Sequence, residues 1–468
     1  MAITRSRGDV QPQSGNNTQI IIAEQDNASW TDISKRVVDA YRHQPLITSA
    51  DLAQTGEIIP NNYFDGQASQ NKGIDGPLDI SNGLTLSLSG NGTALFFRML
   101  TQDKNPTRFD ADGSAYSART PITVVTSTNI FTGTAGETVT FTVANDLASA
   151  VSPVQLTISP GGTPTLLAGR AFGTVTITGT DHMDRDITDN VNFYAGSLGT
   201  AQRTNFYFKT VRAASATGFT AGTVAIAGTD GGVRVRFTPQ DADLVAYWTA
   251  EIAKGNIPNT YYSLILQSAT MAIADRTSLV QFECAFLGRE ANVYSAIDRT
   301  STTRSDASAL AYASPDVFPG WRASLNVGSF SLAATSATLT INQNLEYTNV
   351  LGGRYQESPP LRGDKRALTV EMNILYDQQN NLSELFTNNQ SLRDVSIQMT
   401  NTAIGAYPHK FDFQIDEAQL TADPDPGVAD FGAIGQTVTI QGISTRRGLS
   451  EFRIVADYSD YAELADFS

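Results

Sequence analysis

Four aspartates two to three residues apart, Asp181, Asp184, Asp186 and Asp189, form the run best suited to holding a metal ion. Carboxylate oxygens at that spacing can gather around calcium. The run lacks the central glycine and closing glutamate of an EF-hand loop, so it reads as a solvated hairpin tip between two strands. Asp423 and Asp425 are a candidate carboxylate pair, but they sit in Asp423-Pro424-Asp425-Pro426-Gly427. That proline-locked loop has no neighbouring apolar pocket to raise a pKa for acid–base work. The three histidines, His43, His182 and His409, have no partner at zinc-ligand spacing and read as surface or loop residues.

The single cysteine, Cys284, excludes an intrachain disulfide framework and a cysteine-based zinc site. It lies in the apolar run Leu279–Leu287, where a buried small hydrophobe is expected rather than a nucleophile. The sequence has no phosphate loop and no nucleophile elbow. Gly228, Gly231 and Gly232 follow a strand but open no helix, so they read as a turn. No catalytic, cofactor-binding or metal-binding residue is assigned, and the expectation is a protein that is not an enzyme and uses no cofactor.

The elements that would carry these residues are mostly strands. Leu368–Ile374 alternates apolar and polar residues without a break, and Leu339–Tyr347 alternates except at Gln343. Period two with β-branched residues predicts half-buried antiparallel strands. The connection Gly352 to Arg366 is long for a hairpin, and long loops usually have a job. A short helix is expected at Leu382–Phe386 behind an asparagine cap, followed by strands at Val395–Met399, Phe411–Ile415 and Thr437–Ile440.

The same order recurs earlier. A Gly-rich loop, Asp65 to Pro77, leads into alternating Leu84–Leu88, and Asn91-Gly92-Thr93 caps a helix carrying Phe96, Met99 and Leu100. Tyr262–Ser268 and Ser278–Leu287 complete that unit, which reads as a diverged tandem duplication interrupted by an insertion. The insertion, 111–232, is dense in Thr, Gly and Ala, with short strands suggesting a small immunoglobulin-like sandwich. Residues 239–254 are expected to form one amphipathic helix, with Leu244, Trp248 and Ile252 on one face and Gly255 as its stop. An N-terminal arm, 1–28, carries one strand at Gln19–Ala23. The expected organisation is this arm, a first discontinuous domain at 29–110 and 233–318, the insert at 111–232, and a second domain with a C-terminal extension at 319–468. The fold class is mainly all-β, with a few short helices.

At 468 residues, two or three domains are expected. Lys and Arg number 32 against 47 Asp and Glu, a net charge of −15. That field disfavours tight nucleic-acid binding through phosphate neutralisation; simple solubility accounts for it, and it is also compatible with a surface along which DNA slides without sticking. The first residues show no apolar signal segment and no apolar run is long enough to span a membrane, so folding in a cytoplasm is expected.

Ala337–Tyr347 (A-T-L-T-I-N-Q-N-L-E-Y), Leu351-Gly352-Gly353, the Pro359-Pro360 loop, Leu368–Tyr376 and the Leu382 helix together resemble the tail tube proteins of long-tailed bacteriophages. Asn61–Leu100, with Gly73–Asp79 inside it, is similar to the first half of the double-domain members. Gly173–Asp181 and Phe208–Val211 resemble the immunoglobulin-like modules of phage virions. The resemblance implies two packed sheets flanked by a helix, closing edge to edge into rings that stack into a conduit for DNA ejection. Two tube domains per chain imply a homotrimer with pseudo-six-fold symmetry. The loops 65–80 and 350–366 are then arms to the adjacent ring, and the insert projects outward where it could touch host glycans. It implies a virion-tail location after assembly in the host cytoplasm. The partners would be tape-measure and terminator proteins, a sheath in contractile tails, and DNA only in passage, with no membrane.

A different reading is a carbohydrate-binding or host-recognition protein of the virion, which needs an aromatic-lined groove. Trp30, Trp248 and Trp321 lie far apart in sequence and show no such clustering. A glycan hydrolase needs two carboxylates flanking a cleft, and no such pair stands out.

Overall fold

A computed structural model describes residues 18–25, 30, 42–44, 47–59, 74–90, 93–103, 106–110, 122–131, 137–143, 147, 153–228, 232–240, 247–254, 257–293, 310–312, 317–328, 330–347, 355–356, 358–375, 392–422, 435–443 and 452–458. Strands dominate these residues, with one α-helix among them, so the fold is all-β as the alternation implies. The expected Leu382–Phe386 helix and the Asp423–Gly427 loop lie outside the described residues. By contacts the chain divides into two units. One comprises 1–105, 237–397 and 413–453; the other comprises 106–236, 398–412 and 454–468. This division differs from the expected one: it groups 319–397 with the N-terminal segments and gives the insert two C-terminal stretches.

The first unit is built on the strands β1 (Thr18–Glu24), β2 (Gly83–Ser87), β3 (Trp248–Lys254), β4 (Ile257–Ile273), β5 (Gln281–Leu287), β6 (Ala334–Asn342), β7 (Ala367–Leu375) and β8 (Gly435–Gly442). Antiparallel ladders run β2–β5–β4–β6–β7–β8, with Ile47–Ala50 on the outer side of β2. The 17-residue β4 serves two sheets. Its first half pairs with β3 and with Glu290–Val293, and its second half with β5 and β6. Ser263, at φ 53°, and a register shift after Leu266 mark the change of partner. A bulge there lets one strand twist from one sheet into the next.

One row of this sheet reads Leu86, Phe282, Met271, Leu339, Val370 and Ile440 from strand to strand, and every member is buried. Burying each such side chain stabilises by about 1.5–3 kcal/mol. On the same face lies the helix α1 (Ala94–Thr101), all of whose residues are buried. Phe97 meets Phe237, Phe282 and Phe413 edge-on, with centroids 5.5–6.0 Å apart. The expected helix is thus present behind Thr93, although the Thr93 hydroxyl donates to the Ser89 carbonyl instead of capping it. Arg98 is 6% exposed and pairs with Glu24 at 2.8 Å; burial lowers its pKa, and Glu24 and Asp103 oppose that.

The expected amphipathic helix over 239–254 is corrected: residues 248–254 are the strand β3, paired with β1 and β4. The 244/248/252 spacing fits a helix, yet a four-residue repeat is also a two-residue repeat. Both faces are covered, since Thr249 and Glu251 are as buried as Trp248 and Ile252. Thr249 is matched by a hydrogen bond from Gln25 Nε2 at 3.0 Å. A strand inside two ladders was favoured over a lone amphipathic helix.

In the second unit, two four-stranded sheets enclose a common core. Gln202–Phe208, Val154–Leu166, Phe219–Gly228 and Ile122–Asn129 form one; Asp186–Tyr194, Phe172–Thr180, Thr210–Thr217 and Val139–Phe141 form the other. Ile158, Ile177, Phe193, Phe208 and Ile226 meet between them. The short strands expected in the insert are thus present, and together the eight make a β-sandwich.

Candidate functional site

The face of the first unit's sheet opposite the apolar row is a broad, regular surface. Each position on it is fixed by the pleat: where Leu339 points into the core, Thr338 and Thr340 point out. Across one rung it reads Thr85, Glu283, Thr270, Thr340, Thr369 and Gln441; across the next, Gln281, Ala272, Thr338, Glu371 and Thr439. These positions hold two carboxylates, no lysine and no arginine. Hydroxyl and amide groups bond across strands: Thr437 Oγ1 donates to Asn373 Oδ1 at 2.8 Å, and Asn373 Nδ2 donates to Ser336 Oγ at 2.9 Å. Thr270 and Thr340 stand 3.4 Å apart at their hydroxyls. Such a surface is wetted, weakly anionic and without a fixed cation to hold a phosphate.

The ends of this sheet are joined to other chain segments. The hairpin of Ala53–Ile59 with Ile74–Ser81 forms a separate two-stranded sheet preceding β2. Within the 350–366 loop, Gln356 is buried: its carbonyl accepts from Trp30 Nε1 at 2.7 Å and its side chain donates to Asp79 at 2.6 Å. That part of the loop therefore folds onto its own chain.

The residues that could do chemistry are placed as follows. The four aspartates flank the turn between Phe172–Thr180 and Asp186–Tyr194, and each goes to a different partner. Asp181 is fully buried; its Oδ1 accepts from the Met183 and Arg185 amides, and its Oδ2 from Arg185 Nε at 2.8 Å and the Gly405 amide. Burial pushes its pKa up, but the Arg185 guanidinium and the surrounding N–H donors outweigh that and leave it lowered. Asp184 pairs with Lys209 at 2.8 Å, Asp186 with Arg212 at 2.5 Å, and Asp189 accepts from Asn205. The hairpin tip is as expected, though Asp181 and Asp189 are buried braces and not solvated groups. Among the described residues no cluster of three or more His, Cys, Asp or Glu is spaced to hold a metal ion.

His409 lies in a loop, one of the two expected settings, but it is not on the surface. It is 1% exposed, its Nδ1 lies 3.1 Å from the Asp457 carbonyl, and the Tyr407 and Tyr458 rings flank it. Burial drives its pKa down to about 4. His182 is half-buried at the hairpin turn, with its pKa lowered by burial. The backbone of His43 lies in the short strand Arg42–Gln44. Cys284 is buried on β5 opposite Leu84 and Ala269, and burial raises its thiol pKa. The glycine turn at 228–232 lies largely outside the described residues.

Trp321, set aside in the sequence as isolated from the other tryptophans, stands half-exposed on a short 3₁₀ turn, with the Arg322 guanidinium 4.6 Å from its ring centroid. Its signal was the Pro319-Gly320 pair, which breaks the strands and turns the indole outward. No protein-family model matches the chain, and no curated protein matches it.

Proposed function

We propose that the chain is a structural virion protein that self-assembles into stacked rings, forming the tail tube through which a long-tailed phage ejects its DNA. The observation that carries this reading is the junction of β4 with β6, where Met271 faces Leu339. There the alternating strands of what we read as two tandem halves join edge to edge in one sheet. Repeating that junction between chains would close a ring without an open edge. Three chains, each with two halves, give six-fold pseudo-symmetry and a homotrimeric ring.

In such a ring the hydroxyl- and amide-lined face would turn to the lumen. Its two carboxylates and lack of cations suit DNA that passes without binding. The sandwich at 122–228 would serve as an immunoglobulin-like decoration able to touch host glycans. The neighbours in the tail would be tape-measure and terminator proteins and, in a contractile tail, a sheath.

Negative-stain microscopy of the purified protein tests the proposal. Rings or tubes of uniform diameter are expected, with a solution mass of three chains per ring. A chain that stays monomeric at every concentration, with no rings on the grid, would sink it.

A further inference from the structure

A cleft of about 510 Å³ opens on the first unit beside the Gly320–Arg322 turn. Its floor is apolar: Ile273, Leu325 and Leu332 are each under 10% exposed. Its rim is mixed. Trp321 is 51% exposed, with the Arg322 guanidinium packed on the ring. Asp275 is exposed yet held in place, because Thr277 N, Thr277 Oγ1 and Ser278 N all donate to its Oδ1 at 2.6–2.8 Å. The Ser278 side chain bonds the carboxylate as well, and its two oxygens offer about four acceptor positions in all, so it can still accept from a ligand hydroxyl. On the opposite wall Ser336 Oγ accepts from Asn373, so its own proton is available to donate.

These groups ask for a ligand with an apolar face and hydroxyls at its edge. An acyl chain would fill the floor but leave Asp275 without a donor. An anion could meet Arg276 but would also face the Asp275 carboxylate and leave the apolar floor unused. We infer that the cleft is a saccharide site, taking a pyranose ring with its C–H face against Trp321 and its hydroxyls on Asp275 and Ser336. The volume lies within the range of small-ligand sites and has room for one or two sugar rings. An exposed indole supplies stacking at low entropic cost, as large rigid aromatics do in recognition surfaces. This inference does not depend on the tube reading.

The protein carries its own probe. Trp30 and Trp248 are 4% and 1% exposed, so acrylamide quenching of the full-length protein reports mainly Trp321. Titration with methyl glycosides of glucose, galactose, mannose and N-acetylglucosamine should show saturable protection by at least one of them, in the millimolar range. Saturation-transfer NMR on the same glycoside should lose its signal in Trp321→Ala. In Asp275→Asn the affinity should fall about tenfold, through loss of a hydrogen bond to a charged group. Both variants should melt like the parent protein, since both positions are exposed. No protection by any glycoside would overturn the inference. So would binding that survives Trp321→Ala, or quenching that changes only with protein concentration, which would mark the cleft as covered by a second copy of the chain.

Discussion

The side chain of Gln343 donates to the carbonyl of Leu100, the penultimate residue of the buried helix α1. The last carbonyls of a helix have no partner inside it, and here none can reach water. Gln343, itself 1% exposed, supplies that partner and accepts in turn from Arg366 Nε at 3.1 Å and Arg362 at 3.2 Å. A residue from just beyond β6 thus caps a helix more than two hundred positions earlier.

Replacing Gln343 with Leu keeps its approximate size but removes both roles, leaving the Leu100 carbonyl without this donor and Arg366 without this acceptor. The cost should be about 1–3 kcal/mol in urea-induced unfolding, the range for a buried polar group left unsatisfied. A Leu variant as stable as the parent would show that the contact contributes nothing.

Gln343 also shows how much of the fold was legible. It is the one break in the alternation of 339–347, and the break marks the residue that reaches the helix. Alternation located β6 and β7 because Leu339, Ile341, Leu368 and Val370 each meet the core. It could not separate strand from helix at Trp248 and Ile252, since burial on both faces erases the polar phase of the period. His409 was misread through its neighbour Pro408, although Tyr407, His409, Phe411 and Phe413 alternate and all four are buried. The Trp321 cleft was invisible because Ile273, Asp275, Trp321 and Leu332 converge only through pairing of distant strands.

The cation-free sheet face predicts how the protein treats DNA. A triple variant, Thr340→Lys, Thr369→Lys and Thr439→Lys, places three ammonium groups on that face. Each such change on this half-exposed face should alter stability by about 0.5 kcal/mol, with a further small cost from the directly opposed lysines at 340 and 369. The parent should leave labelled double-stranded DNA free in an anisotropy titration at low salt. The variant should bind it with an affinity that falls as salt rises, each new phosphate contact adding about 0.9 to the log–log slope. A parent that already binds DNA as tightly as the variant would refute the assignment of this face to a non-sticking surface.

Asp181 ties the hairpin turn to a distant segment. Arg185, which it orients, donates to the Thr402 and Ala403 carbonyls at 2.9 Å, and Asp181 Oδ2 accepts from the Gly405 amide. Asp181→Asn keeps the shape but loses the charge that Arg185 faces. Because the carboxylate is fully buried, the loss should be about 3 kcal/mol, near the low end for breaking a buried ion pair. Chemical denaturation would measure it, and hydrogen exchange at 402–405 should speed up in the same variant. An unchanged midpoint would mean that solvent replaces the pair at no cost.

His409 should make the second unit sensitive to mild acid. Its pKa is lowered from the ordinary value of about 6.5 to about 4 by burial, with the Asp457 carbonyl opposing and His182 reinforcing that effect. The unfolded chain therefore binds the proton more readily than the folded one between those two values. Stability is full above about pH 6.5 and declines as pH falls toward 4, where the folded state begins to take up the proton as well. The whole effect is about 3 kcal/mol at most, from roughly 1.4 kcal/mol for each tenfold loss of proton affinity on folding. Lowered in the same direction, His182 adds to the slope, while Asp181, with its depressed pKa, is lost only at lower pH. Melting temperatures at pH 7.5, 6, 5 and 4.5 should fall progressively for the parent protein. In His409→Gln, which keeps a donor near the Asp457 carbonyl without a titrating ring, the decline over this range should be shallower. Equal slopes in the two proteins would place the acid sensitivity elsewhere.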